Sequence, residues 1–193
     1  MQLVIPEYPN SKPYQQIPFQ YSLHYIESEN GTVMHKEFLG VSGEDPRRAL
    51  AEQLVADIPE DACVLAFNRG FERGRIKELA LLFPDLADKL MHIHENIQDL
   101  IDPFHHGHYY NKAIGNSFSI KSVLPAMFPN DAELDYHNLD GVHNGGEAMN
   151  LFPLIKDMPP AEQEIARRNL LKYCELDTYA MVKIWQKLKA LSE

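Results

Sequence analysis

Cysteine is scarce in this chain of 193 residues: Cys63 and Cys174 are its only thiols, and both sit inside apolar patterns. Neither is a candidate nucleophile, because a reactive thiol needs an electropositive, accessible setting. No leader with a basic start, an apolar centre and a small-residue cleavage site is recognisable, so the expected compartment is the reducing cytoplasm. No apolar run approaches the ~20 residues that cross a bilayer, which argues against membrane insertion. Internal repeats and low-complexity linkers are also missing. Basic residues are outnumbered, 18 Lys and Arg against 28 Asp and Glu, for a formal charge of −10. That balance argues against a general phosphate-binding surface, since nonspecific affinity comes from many cations neutralising phosphates. It does not exclude nucleic acid. A two-metal nuclease site is itself a carboxylate cluster whose charge the ions offset, and the acidic balance leans toward a small or single-stranded substrate.

At 45% hydrophobic, the chain suffices for one substantial core, and a single α/β domain over 1–193 is expected. Pro6, Pro9 and Pro13 mark an extended lead-in. Phe19, Tyr21, Leu23 and Tyr25 alternate with Gln20, Ser22 and His24, which predicts a half-buried strand; Asn30-Gly31 supplies a turn into a second strand over 32–39. Asp45 then reads as an N-cap with Pro46 at the first helical position, and Leu50, Leu54 and Val55 form the helix face. A buried strand is expected over 62–67, helices over about 70–83, 84–97 and 118–127, a polar His-rich connection over 98–117, and a loop over 129–146. The last helix, or helix pair, runs from about 145 to 191, with Ile165, Leu170, Cys174, Met181, Ile184 and Leu188 as its apolar stripe. Two hairpin strands, a buried strand and several helices fit a mixed sheet covered by helices.

Asp177 falls on that stripe, where a carboxylate must be paired, protonated or metal-bound. Tyr173 lies one turn earlier on the same face. Pairing of Asp177 with an Arg or Lys, with Tyr173 as a core aromatic, fits the pattern equally well. Asn68-x-x-Phe71-Glu72 directly follows the buried strand, at the strand end where α/β sheets place their sites. A capping Asn68 with Glu72 in a first helical turn explains that motif as well.

Taken together, Asn68-x-x-Phe71-Glu72 and Tyr173-x-x-x-Asp177 resemble the second and third motifs of DnaQ-like DEDDy 3′–5′ exonucleases of the ribonuclease H-like fold. Asp99-Leu100 is similar to that family's intervening aspartate-bearing strand end, and Ser119-Ile120-Lys121-Ser122-Val123-Leu124 to its helix start. Pro13-Tyr14-Gln15-Gln16, Pro18-Phe19-Gln20-Tyr21-Ser22 and Tyr173-Cys174-Glu175-Leu176-Asp177-Thr178 resemble a bacterial domain family of unknown function often joined to a RecB-like nuclease region. The resemblance implies a ribonuclease H-like mixed sheet flanked by helices. It also implies Mg²⁺ or Mn²⁺ held by Asp177 and Glu72, Tyr173 orienting the attacking water, and Asn68 and Phe71 supporting the terminal nucleotide of a single-stranded DNA or RNA end.

The chain departs from the family in its first motif. No Asp-x-Glu precedes Phe19; Asp131-Ala132-Glu133 follows the second motif in a loop, and Glu27-x-Glu29 sits at the hairpin turn, where a solvated pair is expected. The expectation is an N-terminally incomplete domain lacking its first strand, a poor nuclease by itself, with a sheet edge open to a partner chain or a second copy. The competing reading is a non-catalytic module that binds nucleic-acid ends or docks a RecB-like nuclease. His105, His106 and His108 form a further candidate metal site, against which stands a polar loop near the substrate cleft.

Overall fold

Why this chain folds as it does begins at the hairpin. The computed structural model describes residues 8–28 and 31–192; Pro6, Asn30 of the expected turn and Glu29 of the Glu27-x-Glu29 pair lie outside them. β1 (Gln20–Tyr25) and β2 (Met34–Leu39) pair antiparallel, with Tyr21 opposite Phe38 and His24 opposite His35. The period-two alternation sends Tyr21, Leu23 and Phe38 to one face and Ser22, His24 and His35 to the other.

α1 (Arg47–Asp57) follows. It begins one residue later than expected, with the Asp45 carboxylate accepting from the Arg47 amide at 3.1 Å. Gly40 is required where β2 approaches that helix, because a Cβ there would stand 2.6 Å from Pro46. β3 (Val64–Ala66) leads into α2 (Gly70–Leu82), then α3 (Ala87–Asn96), then β4 (Ile97–Asp99), which runs parallel to β3. Residues 97–117 are therefore more ordered than a polar connection. β4 is followed by the single turn α4 (Asp102–His105), and Leu100, Phe104 and Ile114 are buried. The expected strand over 62–67 is shorter and less enclosed, with Cys63 exposed and Leu65 36% exposed.

α5 (Ile120–Met127), α6 (Gly145–Leu151) and the long α7 (Pro160–Ser192) complete the chain. Short 3-10 turns occupy the stretch expected to be loop, and they bury Leu134 and Tyr136. The architecture is mixed α/β and about 57% helical. The strands lie between two helical groups. Tyr21, Leu23 and Phe38 join Val64, Ala66 and Ile97 against α1, α2 and α3, while Phe19, Leu39, Phe67 and Leu100 join α5, α6 and α7. Phe19 stacks on Phe152 at 4.2 Å between ring centres, a contact worth about 1 kcal/mol beyond its burial.

The strands differ from the expected single mixed sheet: among the described residues they form two separate two-stranded sheets. The Gly40 amide donates to the Phe19 carbonyl at 2.8 Å, which fixes the parity of the ladder. Gln20, Ser22 and His24 thus turn their peptide groups away from β2, toward an edge that no described strand occupies. No described helix is long and apolar enough to cross a membrane.

The stripe on α7 also differs from the expected one. Ala166, Leu170, Tyr173, Leu176, Ala180 and Ile184 are its buried residues, whereas Ile165 is 48% exposed. The physical reason is that α7 is covered by β1 as well as by α5 and the 3-10 turn before it, so small and aromatic side chains fit where an aliphatic-only pattern was expected.

Candidate functional site

β3 and β4 end together, and the chain after each strand closes onto one carboxylate. Asp99, the last residue of β4, accepts from the Asn68 amide at 2.9 Å, the Arg69 amide at 2.9 Å and the Ile101 amide at 3.2 Å. Asn68 adopts φ +70°, a left-handed conformation that asparagine tolerates better than most residues. The turn then launches α2, with Phe71 48% exposed and the Arg75 guanidinium 5.7 Å from the centre of its ring. Glu72 lies in the first turn of α2, and among the described residues its Oε2 is buried with no hydrogen-bond partner. Burial pushes Glu72 up to about 7, and the negative charge of Asp99 pushes in the same direction, against the backbone N–H that favours the charged form.

Asp177 occupies a second pocket of polar chemistry. The Tyr136 hydroxyl donates to its Oδ1 at 2.7 Å, and the Tyr173 phenol acts on the same carboxylate. Lys121 stands 5.2 Å from the Tyr136 ring centre and 6.0 Å from that of Tyr173, with its ammonium donating to the His143 carbonyl. Burial raises Asp177 above the usual carboxylate range, and the two phenols and Lys121 only partly offset this. The alternative of direct pairing with an Arg or Lys does not hold among the described residues; phenols take that place. Tyr136→Phe is expected to lower stability by roughly 1–2 kcal/mol at neutral pH, because a buried carboxylate loses one of its phenol donors. Urea unfolding of the two proteins checks this.

Glu72 is thus placed beside Asp99, and Asp177 beside Tyr136 and Tyr173. No hydrogen bond or ion pair joins the two groups among the described residues. Tyr136 was missed because irregular 3-10 turns leave no periodicity to read. Cys174 is half-buried, and burial, followed by the charge of Asp177, raises its thiol to about 12, which leaves it inert.

His105, His106 and His108 do not converge. All three are exposed; His105 sets its ring edgewise to Phe118, and His106 and His108 lie 5.8 Å apart between ring centres. A different group does converge: His24, His35 and Glu175 offer ligand atoms that all lie within 4.8 Å of one another. Only the hairpin register brings these histidines together, and it is set by tertiary structure.

No curated protein and no solved structure matches the chain. Residues 1–119, more than half of the chain and including Asn68, Phe71, Glu72 and Asp99 but not Tyr173 or Asp177, match the family model described as Domain of unknown function (DUF2779), and the chain belongs to that family.

Proposed function

We propose that this domain is a metal-dependent 3′–5′ exonuclease-like module of the DnaQ-like DEDDy type, with ribonuclease H-like ancestry, directed at the ends of single-stranded DNA or RNA. The observation that carries the reading is Glu72 Oε2, a buried carboxylate oxygen without a partner among the described residues, just after the joint end of two parallel strands and near a second carboxylate. Strand ends of this kind are where α/β folds take ligands. A buried, unpartnered carboxylate is costly in its charged form unless a cation meets it, and otherwise it holds its proton to higher pH.

The donors are all oxygens, which suits Mg²⁺ or Mn²⁺. Glu72 and Asp177 would be direct ligands, with Asp99 holding the turn that presents Glu72. Two carboxylates do not complete a two-ion site, and other polypeptide, such as a RecB-like nuclease region or a second copy pairing at the edge of β1 that no described strand occupies, would supply further oxygens. The bound ions would supply an activated water and stabilise the leaving oxygen. Tyr173 holds the Asp177 carboxylate and would orient that water. The exposed Phe71 ring offers a stacking surface for a terminal base, and Asn68 lies exposed beside it.

The test is digestion of 5′-labelled single-stranded DNA and RNA with Mg²⁺ or Mn²⁺, by the chain alone and with a RecB-like nuclease region. Stepwise, metal-dependent loss of 3′ nucleotides that Asp177→Asn and Glu72→Gln abolish is expected. Equal digestion by both variants overturns the assignment. Saturable oligonucleotide binding with no cleavage under any condition favours the end-binding or docking module instead.

A further inference from the structure

The group formed by His24, His35 and Glu175 stands apart from the carboxylates discussed above. Glu175 and Asp177 are two residues apart on α7, about 200° around its axis, so they project from different sides of the helix. His24 and His35 face each other across the hairpin with ring centres 4.5 Å apart. His35 Nδ1 is 4.0 Å from Glu175 Oε1.

The hydrogen bonds around the group bear on which nitrogens remain available. His24 Nδ1 is 2.8 Å from Thr178 Oγ1, His35 Nε2 is 2.8 Å from Ser22 Oγ, and the two hydroxyls are 2.6 Å apart. The Thr178 hydroxyl also lies within reach of two carbonyls of its own helix, that of Glu175 at 3.2 Å and that of Cys174 at 3.5 Å, and a metal-ready arrangement has it donate there. In that arrangement Ser22 donates to Thr178, Ser22 accepts from His35 Nε2–H and Thr178 accepts from His24 Nδ1–H. With the tautomers of that arrangement, His24 Nε2 and His35 Nδ1 keep their lone pairs. Histidines in metal sites are held in this way, with the second nitrogen bonded to an outer partner.

We propose that His24, His35 and Glu175 form a binding site for a zinc-class divalent ion. Two imidazoles and a carboxylate are a ligand set that zinc accepts, and three protein ligands leave the fourth tetrahedral position to water. Glu175 is exposed, so the carboxylate end of the group opens to solvent. The oxygen donors Glu72 and Asp177 would suit harder cations, so the histidine group would not compete with them for the same metal.

Chelator-treated full chain in excess Mg²⁺, titrated with Zn²⁺ by calorimetry and with Co²⁺ by visible absorption, tests the site. One equivalent of each ion is expected, with Co²⁺ giving the intense bands of a low-coordinate site. His35→Ala and Glu175→Gln should weaken Zn²⁺ at least tenfold, and Thr178→Val, which removes an outer partner, about tenfold. Glu72→Gln and the triple variant His105→Ala, His106→Ala, His108→Ala should bind as wild type. Because Glu175 is exposed, Glu175→Gln remains informative even where a histidine variant fails to fold. No saturable Zn²⁺ binding, or binding that Glu175→Gln leaves unchanged, or binding lost in the triple variant instead, overturns the proposal.

Discussion

Replacing Glu72 by glutamine raises the stability of the metal-free domain by about 2–3 kcal/mol near pH 8.5 and leaves it unchanged near pH 4. Glu72 is raised from 4.5 to about 7 in the folded chain, chiefly by burial. Between those values the folded state holds a proton that the unfolded state has released, so stability falls as pH rises from 4.5 through 7, and the whole cost is present above 7. Below 4.5 both states are protonated, and glutamine resembles the neutral acid. The full shift corresponds to roughly 3 kcal/mol, and the partial exposure of the residue reduces this toward 2. At this chain length, a gain of about 2–3 kcal/mol is a rise of about 4–12 °C in unfolding midpoint. Mg²⁺ or Mn²⁺ should stabilise the wild-type chain near pH 8.5, because a cation that meets Glu72 stabilises its charged form, and should do so less for Glu72→Gln. Thermal unfolding of both proteins at the two pH values, with and without the ion, gives the answer. A gain of equal size at both pH values would assign the effect to packing rather than to a buried charge.

Much of the frame was legible because it rests on local patterns. The alternation from Phe19 to Tyr25 marks β1, and the short apolar run before Asn68 marks β3 with the turn that follows it. Glu72 follows that turn, but its place alone reads equally as an ordinary first-turn glutamate, and the family resemblance nominates it; among the described residues its Oε2 is one of the buried polar atoms without a hydrogen-bond partner. What could not be read depends on contacts distant in sequence. Tyr136 reaches Asp177 across 41 residues, and the parallel pairing of β3 with β4 is what makes Asp99 the acceptor for the Asn68 and Arg69 amides. The separation of the strands into two sheets is also tertiary, since nothing local to β1 states which chain meets its second edge. The histidine group needed the His24–His35 register and the rotation of α7, neither of which has a signature in sequence.

Asp99→Ala is expected to cost about 3 kcal/mol, because it removes the acceptor of three backbone N–H groups at once. One of these, at Asn68, is solvent-exposed and can turn to water, while those at Arg69 and Ile101 are partly buried, which keeps the total below the sum of three separate losses. The left-handed φ of Asn68 adds to the effect, since the strain in that turn persists only where surrounding bonds hold it. Asp99→Asn separates the contributions. Its side-chain oxygen can still serve the Asn68 and Ile101 amides, but its amide group then opposes the Arg69 N–H, so roughly half the loss remains. The same substitution removes the charge that helps raise Glu72, and the Glu72 titration should move down toward the ordinary glutamate range. Urea unfolding measures the stability, amide exchange at Asn68, Arg69 and Ile101 locates it, and carboxyl NMR titration follows Glu72. Unaltered exchange at those three amides in Asp99→Ala would mean that Asp99 does not hold the turn, and the link between the two parallel strand ends and the placement of Glu72 would have to be abandoned.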